Sequence, residues 1–511
     1  MNTESGDPTG AGRRAAALRQ AGRMDEAIAV LRNWTGQSPH DAAAWAALAD
    51  TLATASRPDL ALGAWEHALA LEPRAAAWLC GKARALQAIG RPGEAAPCFE
   101  AVLAIDPTSD EARFGLARLA FEGGDLDGAA GHMARLLIQA APAASWLGAR
   151  LALARGELAP ALAAMETLLA GPLDEAQRAD ALLLQGEILD RQGDYPKAFA
   201  AAREGKAIQK RLFAARAAGH EGETAKLQRL KAWFEAADPG PWRAAPPAVA
   251  GDAEGHVFLV GFPRSGTTLI EQALAGHPHV VALEEAPTLA DHYQEFLRDP
   301  DGLARLARIG VAEAQAWRAR YWRTVREHGA EPRGRVLLDK APAGTLNLPV
   351  IVKLFPGAKI LFAVRDPRDV VLSCAMNAFQ MNSLTYTFTD LVGAAQCYAA
   401  CMALAQTYRQ VLPLDLIEVR HEALVEDFPG HLAAIAAFVG LSFDPSMTDI
   451  ATTALGRPVR TPSAIQVRAG LSRQGLGRWR NYAAELAPVS PTLALWIGHF
   501  GYPADRPGAA G

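Results

Sequence analysis

Residues 261–268, GFPRSGTT, set two glycines five apart with hydroxyl residues behind the second, the layout of a phosphate-cradling loop. The lysine of such a loop is missing. In G-x-x-x-x-G-K-[ST] the lysine reaches the β and γ phosphates of a triphosphate while the hydroxyl holds magnesium; here Thr267 stands in its place and Arg264 is the loop's one cation. An apolar run, HVFLVGF, leads into the loop, and a helical pattern, TLIEQALAGH, follows it. A strand, a glycine turn and a helix start direct several N–H groups and the positive end of a helix dipole at one anion. Arg264, Ser265, Gly266, Thr267 and Thr268 are therefore expected to bind a phosphate or sulfate.

A second candidate loop is VRDPRDVVLSC, residues 364–374, behind the strand-like KILFAVR. Arg365 leaves the strand end and Ser373 follows eight residues later, about two helical turns on. Both could reach one phosphate; taken alone, the loop reads rather as a surface turn with Arg365 paired to Asp366 or Asp369, and its pairing with the first loop is what favours the phosphate. For proton abstraction, Glu284 and Glu285 stand 20 and 21 residues beyond Arg264. Adjacent carboxylates repel, and burial would raise one of them toward a useful basicity. Lys340 closes another strand-like run, VLLDK, and Arg468, Arg473, Arg478 and Arg480 crowd a basic stretch near the C-terminus.

These motifs resemble the sulfotransferases, and PRSGTTLIEQALAGHP followed by VVALEEAP looks most like the tyrosylprotein sulfotransferases and their bacterial relatives that carry tetratricopeptide repeats. The resemblance implies 3′-phosphoadenosine 5′-phosphosulfate as co-substrate. It implies that the 263–268 loop holds the 5′-phosphosulfate, that Arg365 and Ser373 hold the 3′-phosphate, and that Arg478 is a further phosphate ligand. It implies Glu285 as general base, with Arg264, Lys340 and Ser463 beside the reacting groups and no metal. The missing lysine then has a reason, because the donor has no γ phosphate to grip. Charge growing on the bridging oxygen is met by fixed cations and N–H groups, and nucleophile, sulfur and leaving oxygen lie in line, as in phosphoryl transfer. A protein tyrosine is the first acceptor implied; a saccharide or small-metabolite hydroxyl is the alternative. The tyrosylprotein enzymes follow the base with an arginine that reads acidic peptides, whereas Ala286 and Pro287 stand here. His421 takes a place where relatives often have tyrosine, leaving its cofactor contact open, and His277 is expected to cap a turn. A P-loop kinase or NTPase would require the lysine, and a non-enzymatic repeat adaptor would predict damaged loops.

The elements that must position these residues come in two kinds. Pro39, Pro73 and Pro107 recur every 34 residues, the tetratricopeptide period. Trp45, Leu48, Ala49, Leu52, Ala61, Trp65 and Ala68 fill the large and small apolar sites of one unit, and Leu79, Ala83, Leu86, Ala95, Phe99 and Val102 those of the next. About six helix pairs are expected by this period, stacked with alanines at close approaches. Such a stack offers a surface to a peptide or partner protein, or serves as a scaffold for a homodimer. The expected division is a repeat domain at 8–212, a connecting helix and Pro/Gly-rich linker at 213–254, and an α/β domain at 255–505, whose strands (HVFLVGF, KILFAVR, LDLIEVR) alternate with helices in a mostly parallel sheet.

Composition limits the rest. The 511 residues are half apolar with a net charge of −4, a poor match to a nucleic-acid or membrane-surface binder. Five cysteines without C-x-x-C spacing fit a reducing compartment. Cys397 and Cys401, four apart on a helix, are expected to be packing residues rather than metal ligands. The polar N-terminal segment lacks the apolar core of a signal peptide, and the expected location is the cytoplasm.

Overall fold

A computed structural model describes residues 8–137, 141–243, 252–455, 470–473 and 475–504. The chain forms two compact units, 1–164 and 165–511. Twelve helices come first, in six consecutive pairs: Pro8–Gln20 and Met24–Gln37, Ala42–Thr54 and Pro58–Leu71, Ala76–Ala88 and Pro92–Ile105, Asp110–Gly123 and Leu126–Met133, Pro142–Ala154 and Leu158–Ala170, Glu175–Gln192 and Tyr195–Ala217 (α1–α12). Aspartate and serine caps start several of them: Asp41 accepts from the N–H of Ala43 and Ala44, Ser109 from Ala112, and Asp174 closes a capping box with Gln177. The last pair, α11 and α12, belongs to the second compact unit, as do the two helices that follow it, α13 (Glu223–Ala236) and α14 (Gly240–Arg243). The repeat pattern therefore runs across the boundary between the units, and the composition change at the linker is not where they divide.

Within the first unit, Ala49, Ala61, Ala68, Ala83 and Ala95 have no exposed surface, and Trp65 and Phe99 are buried beside them. The fit is close: a Cβ on Gly81 would lie 2.5 Å from the Trp65 ring, and one on Gly115 would lie 2.4 Å from the Phe99 ring. Both glycines and both aromatics are 34 residues apart, so the repeat spacing carries a knob and the hollow that takes it.

The second unit holds a five-stranded, all-parallel sheet: β1 (Gly255–Val260), β2 (Val280–Glu284), β3 (Val336–Lys340), β4 (Lys359–Val364) and β5 (Leu416–Arg420), in the order β2-β3-β1-β4-β5. β2 and β3 join the three strands expected from apolar runs; β3 is buried throughout, whereas β2 is only partly buried. The chain leaves β1 toward β2 on one side and reaches β4 on the other. This places the switch point of the sheet between β1 and β4, where ligands of parallel sheets bind at the carboxyl ends. Both expected anion loops begin there.

Two local devices fix this edge. Gly261 follows β1 with φ 153°, and a Cβ there would lie 2.7 Å from the Ala363 carbonyl oxygen of β4. Only glycine lets the first loop turn so close to the neighbouring strand. Behind the loop after β2, Asp339 is buried and accepts from the Thr288 and Tyr321 hydroxyls, each at 2.8 Å, while His256 sits 2.7 Å from the Tyr321 oxygen. Burial pushes the Asp339 carboxyl up to about 6, although the two hydroxyls favour its charged form.

Gly261→Ala is expected to cost roughly 2–4 kcal/mol, since the clash is with backbone and the φ is strained for alanine; chemical denaturation of purified protein measures this. Asp339 gives a pH signature. The fold raises its carboxyl pKa, so its contribution is favourable below about pH 4 and is lost as pH rises through about 6. Between pH 4 and 7 the stability of Asp339→Asn, which cannot titrate, should rise relative to the natural chain by roughly 2 kcal/mol. Paired urea unfolding curves across that range check it.

Candidate active site

The first loop is built by local constraints. The Gly261 N–H donates to the Pro342 carbonyl at 3.1 Å and the Thr345 hydroxyl donates to the Gly261 carbonyl at 2.9 Å, tying the loop to the segment after β3. Arg264 adopts φ 72°, Ser265 N–H turns back to the Phe262 carbonyl, and helix α15 (Thr267–Ala275) starts behind Gly266. Gly266 gives the helix no side-chain cap, which leaves the helix start to an external acceptor. The hydroxyl residues Ser265, Thr267 and Thr268 are all buried.

The second loop meets the first. Arg264 Nε donates to Ser373 Oγ at 2.9 Å, and Arg365 Nη1 donates to the Arg264 carbonyl at 3.2 Å. Asn377 holds Ser373 from behind, its Nδ2 3.1 Å from Ser373 Oγ. The loop is not a surface turn, since Arg365 and Asp369 are both largely buried, although the two do stand at ion-pair distance. Asp366 pairs with Arg368 at 2.7 Å, and Asp369 accepts from the backbone N–H of Gly477 and Trp479 at 2.7 and 2.8 Å, standing 3.9 Å from Arg365. Arg365 Nη2 reaches the Gly475 carbonyl, while its Nε is buried with no hydrogen-bond partner among the described residues. Burial and then the neighbouring charge of Arg365 pull the Arg264 guanidinium down to about 10. Two crowded cations, a buried N–H with no acceptor among the described residues and a helix start without a side-chain cap are complementary to a doubly anionic nucleotide such as the phosphosulfate donor.

Across the opening stands Glu285. It follows β2 directly with φ 48°, and its N–H donates to the Lys340 carbonyl at 2.8 Å. Its carboxylate is 47% exposed, so the burial expected for a base is not what the structure gives it. Lys340 also departs from expectation: its ammonium is wholly buried, 2.9 Å from Glu285, 3.1 Å from Glu271 and 3.5 Å from Glu284. Burial alone would lower its pKa, but the three carboxylates outweigh that and raise it. The lysine underpins Glu285 instead of facing the cavity.

Glu285, Arg264, Gly266, Thr267 and Thr268 line a cavity of about 300 Å³. Its remaining wall is largely apolar and includes Pro342, Phe379, Leu384 and Phe388. Phe379 is backed by Lys206 of α12, whose ammonium lies 5.1 Å from the ring centre. Burial lowers that ammonium to about 8.

The remaining expectations divide. Arg478 is held by Asp190 of α11, Nε to Oδ1 at 3.0 Å, and Tyr482 donates to the same oxygen at 2.5 Å. A phosphate role for Arg478 would require it to share or leave that carboxylate. Ser463 and Arg468 lie outside the described residues. His421 packs on the first loop, its Nδ1 2.5 Å from where a Gly266 Cβ would stand. Burial, with Arg365 and Arg264 nearby, lowers it to about 3, so its ring is neutral. His277 accepts from the His279 N–H at 3.1 Å, a turn cap, and Cys397 and Cys401 are free and buried. Sequence reading assigned no role to Glu271 or Asp190, and gave Asp369 only as a possible partner of Arg365, not as the acceptor for the Gly477 and Trp479 N–H groups. Glu271 sits in an ordinary amphipathic pattern, and the contacts of the other two span over a hundred residues, so spacing gave no signal.

Residues 256–445 match the Sulfotransferase family, and residues 11–51, 80–145 and 147–210 match tetratricopeptide repeats. The chain is 27% identical over 345 residues to an uncharacterized protein of Aquifex aeolicus, a match covering 64% of this chain and 43% of that one. It is 28% identical over 258 residues to protein-tyrosine sulfotransferase 2 of Gallus gallus, covering 48% of this chain and 63% of the relative. Against protein-tyrosine sulfotransferase 1 of Mus musculus it is 35% identical over 123 residues, 23% of this chain and 33% of the relative. The matches thus span less than two thirds of each relative. Among solved structures, the sulfotransferase domain of the Synechococcus PCC 7002 olefin synthase is 21% identical and covers 52% of this chain and 100% of that one, at a TM-score of 0.36, too loose to carry weight. The chain carries tetratricopeptide repeats followed by a sulfotransferase-family domain with distant similarity to the protein-tyrosine sulfotransferases.

Proposed function

We propose that the protein transfers a sulfuryl group from 3′-phosphoadenosine 5′-phosphosulfate to the hydroxyl of a phenol, with a tyrosine side chain the first candidate. The observation that carries this is one cavity lined by both Arg264 and Glu285, with Arg264 hydrogen-bonded to Ser373 of the second anion loop. The first loop and the start of α15 hold the sulfate-bearing end of the donor, and Arg365 with Ser373 holds its other phosphate. The donor supplies an activated sulfuryl group and a phosphate leaving group. Arg264 offers fixed positive charge where negative charge grows on the leaving oxygen. Glu285, with one carboxylate oxygen held by Lys340, accepts the acceptor's proton on the other.

The cavity wall supports a phenol over a saccharide. Phe379, Phe388, Leu384 and Pro342 offer apolar contact to a flat ring, whereas a sugar would leave several hydroxyls without partners there. Asn382 and Thr385 also line it, but their side chains are engaged in each other's helix cap. Arg264 is the one cation among the described residues lining the cavity, so the cavity itself offers little to read an acidic surrounding.

Incubation of the purified protein with radiolabelled donor and matched phenol, peptide and sugar acceptors should label phenols at least tenfold faster than sugars. Glu285→Gln should lower turnover at least a hundredfold, in keeping with the usual size of general-base effects, while donor affinity by calorimetry stays within about threefold. Sugar labelling at the phenol rate would overturn the acceptor assignment, and full activity in Glu285→Gln would overturn the base.

A further inference from the structure

An ammonium has three N–H groups. Lys340 places its nitrogen within 3.5 Å of three carboxylates from two elements: Glu284 and Glu285 at the end of β2, and Glu271 on α15, the helix that opens with the anion loop. Lys340 and Glu271 have no exposed side-chain surface, Glu284 is 12% exposed and Glu285 is 47% exposed. Of the four groups, Glu285 alone lines the cavity. The other three form its buried anchor.

We propose that Glu271 is a positioning residue, which fixes the Lys340 ammonium from the α15 side and so sets the placement of the Glu285 carboxylate and the share of the Lys340 charge it faces. The inference rests on reading Glu285 as the base. One positive charge is shared by three negative ones, and the carboxylates of Glu271 and Glu285 both lie about 3 Å from it. Two carboxylates sharing one ammonium are close enough to repel each other. Glu271 therefore acts on Glu285 in two ways of the same sign: it repels the Glu285 charge directly, and it takes up part of the Lys340 charge that would otherwise stabilise it. Removing Glu271 would leave Glu285 a larger share of the Lys340 charge. The other charged group lining the cavity with Glu285 is Arg264, which Glu271→Gln leaves in place. The arrangement also links the two halves of the site, since α15 ends the donor loop at one end and anchors the base at its second turn.

The test is a carboxyl titration by NMR of full-length protein with carboxyl-¹³C glutamate, the Glu285 signal being assigned by its loss in Glu285→Gln. In Glu271→Gln the Glu285 midpoint should fall by about half a pH unit or more. Glu271→Asp, which withdraws the charge by one methylene, should shift it in the same direction by less, and serves alone if the glutamine variant does not fold. In turnover assays the acid limb of kcat should move down with the midpoint, kcat should fall several-fold, and the donor KM should hold. A residue that only stabilised the fold would lower Tm and leave the midpoint in place, and an unmoved midpoint in folded variants overturns the inference. Because the titration needs no turnover, that result is distinct from an inactive natural chain, which would overturn the functional reading alone.

Discussion

Two guanidinium groups held against each other at the carboxyl edge of a parallel sheet are the constraint on which this site depends. Arg264 and Arg365 come from loops 101 residues apart, and the second donates to the backbone of the first. Burial and mutual repulsion make this arrangement costly without an anion, and Arg264 shows it in a depressed pKa. The features around the pair reduce that cost or exploit it. Gly261 lets the first loop pass close to β4, Ser373 takes one N–H of Arg264, Gly475 takes one of Arg365, and the uncapped start of α15 adds a partial positive charge.

The opposite side of the cavity solves the inverse problem. Three carboxylates converge on the single buried ammonium of Lys340, and Asp339 next to it is kept from solvent by Thr288 and Tyr321. The carboxylates are thus gathered around Lys340 and the two guanidinium groups around Ser373, and one member of each cluster, Glu285 and Arg264, lines the same cavity. Such fixed, opposed charges suit a reaction in which a proton leaves one side while negative charge grows on the other. α11 contributes as well, since Asp190 holds Arg478 and Tyr482 of the C-terminal segment. A helix of the repeat pattern is therefore part of the structure around the donor side.

Much of this was legible in sequence because it is local. The 34-residue spacing of Pro39, Pro73 and Pro107 gave the helix pairs, and the loop residues 263–268 lie where a strand turns into a helix by rules that span a few residues. Arg365 and Ser373 were legible as a pair, but their meeting with Arg264 was not, because it depends on which strands become neighbours. The two roles that shifted, those of Lys340 and Arg478, share a cause. Each was read as a cation free for an anionic ligand, and each meets carboxylates: Glu271 with the two β2 glutamates for Lys340, Asp190 for Arg478. A lone basic residue in a sequence shows its charge, not what that charge is already balanced against.

The central claim is that the arginine pair with Ser373 forms an anion site for a nucleotide carrying two separate phosphate-type groups. Calorimetric titration of the full chain with 3′-phosphoadenosine 5′-phosphate, beside adenosine 5′-phosphate, tests it most directly. Binding of the bisphosphate at least tenfold tighter than the monophosphate, with that preference lost in Arg365→Ala, is the expected result. Equal affinity for the two nucleotides, or a preference that survives Arg365→Ala, would contradict it.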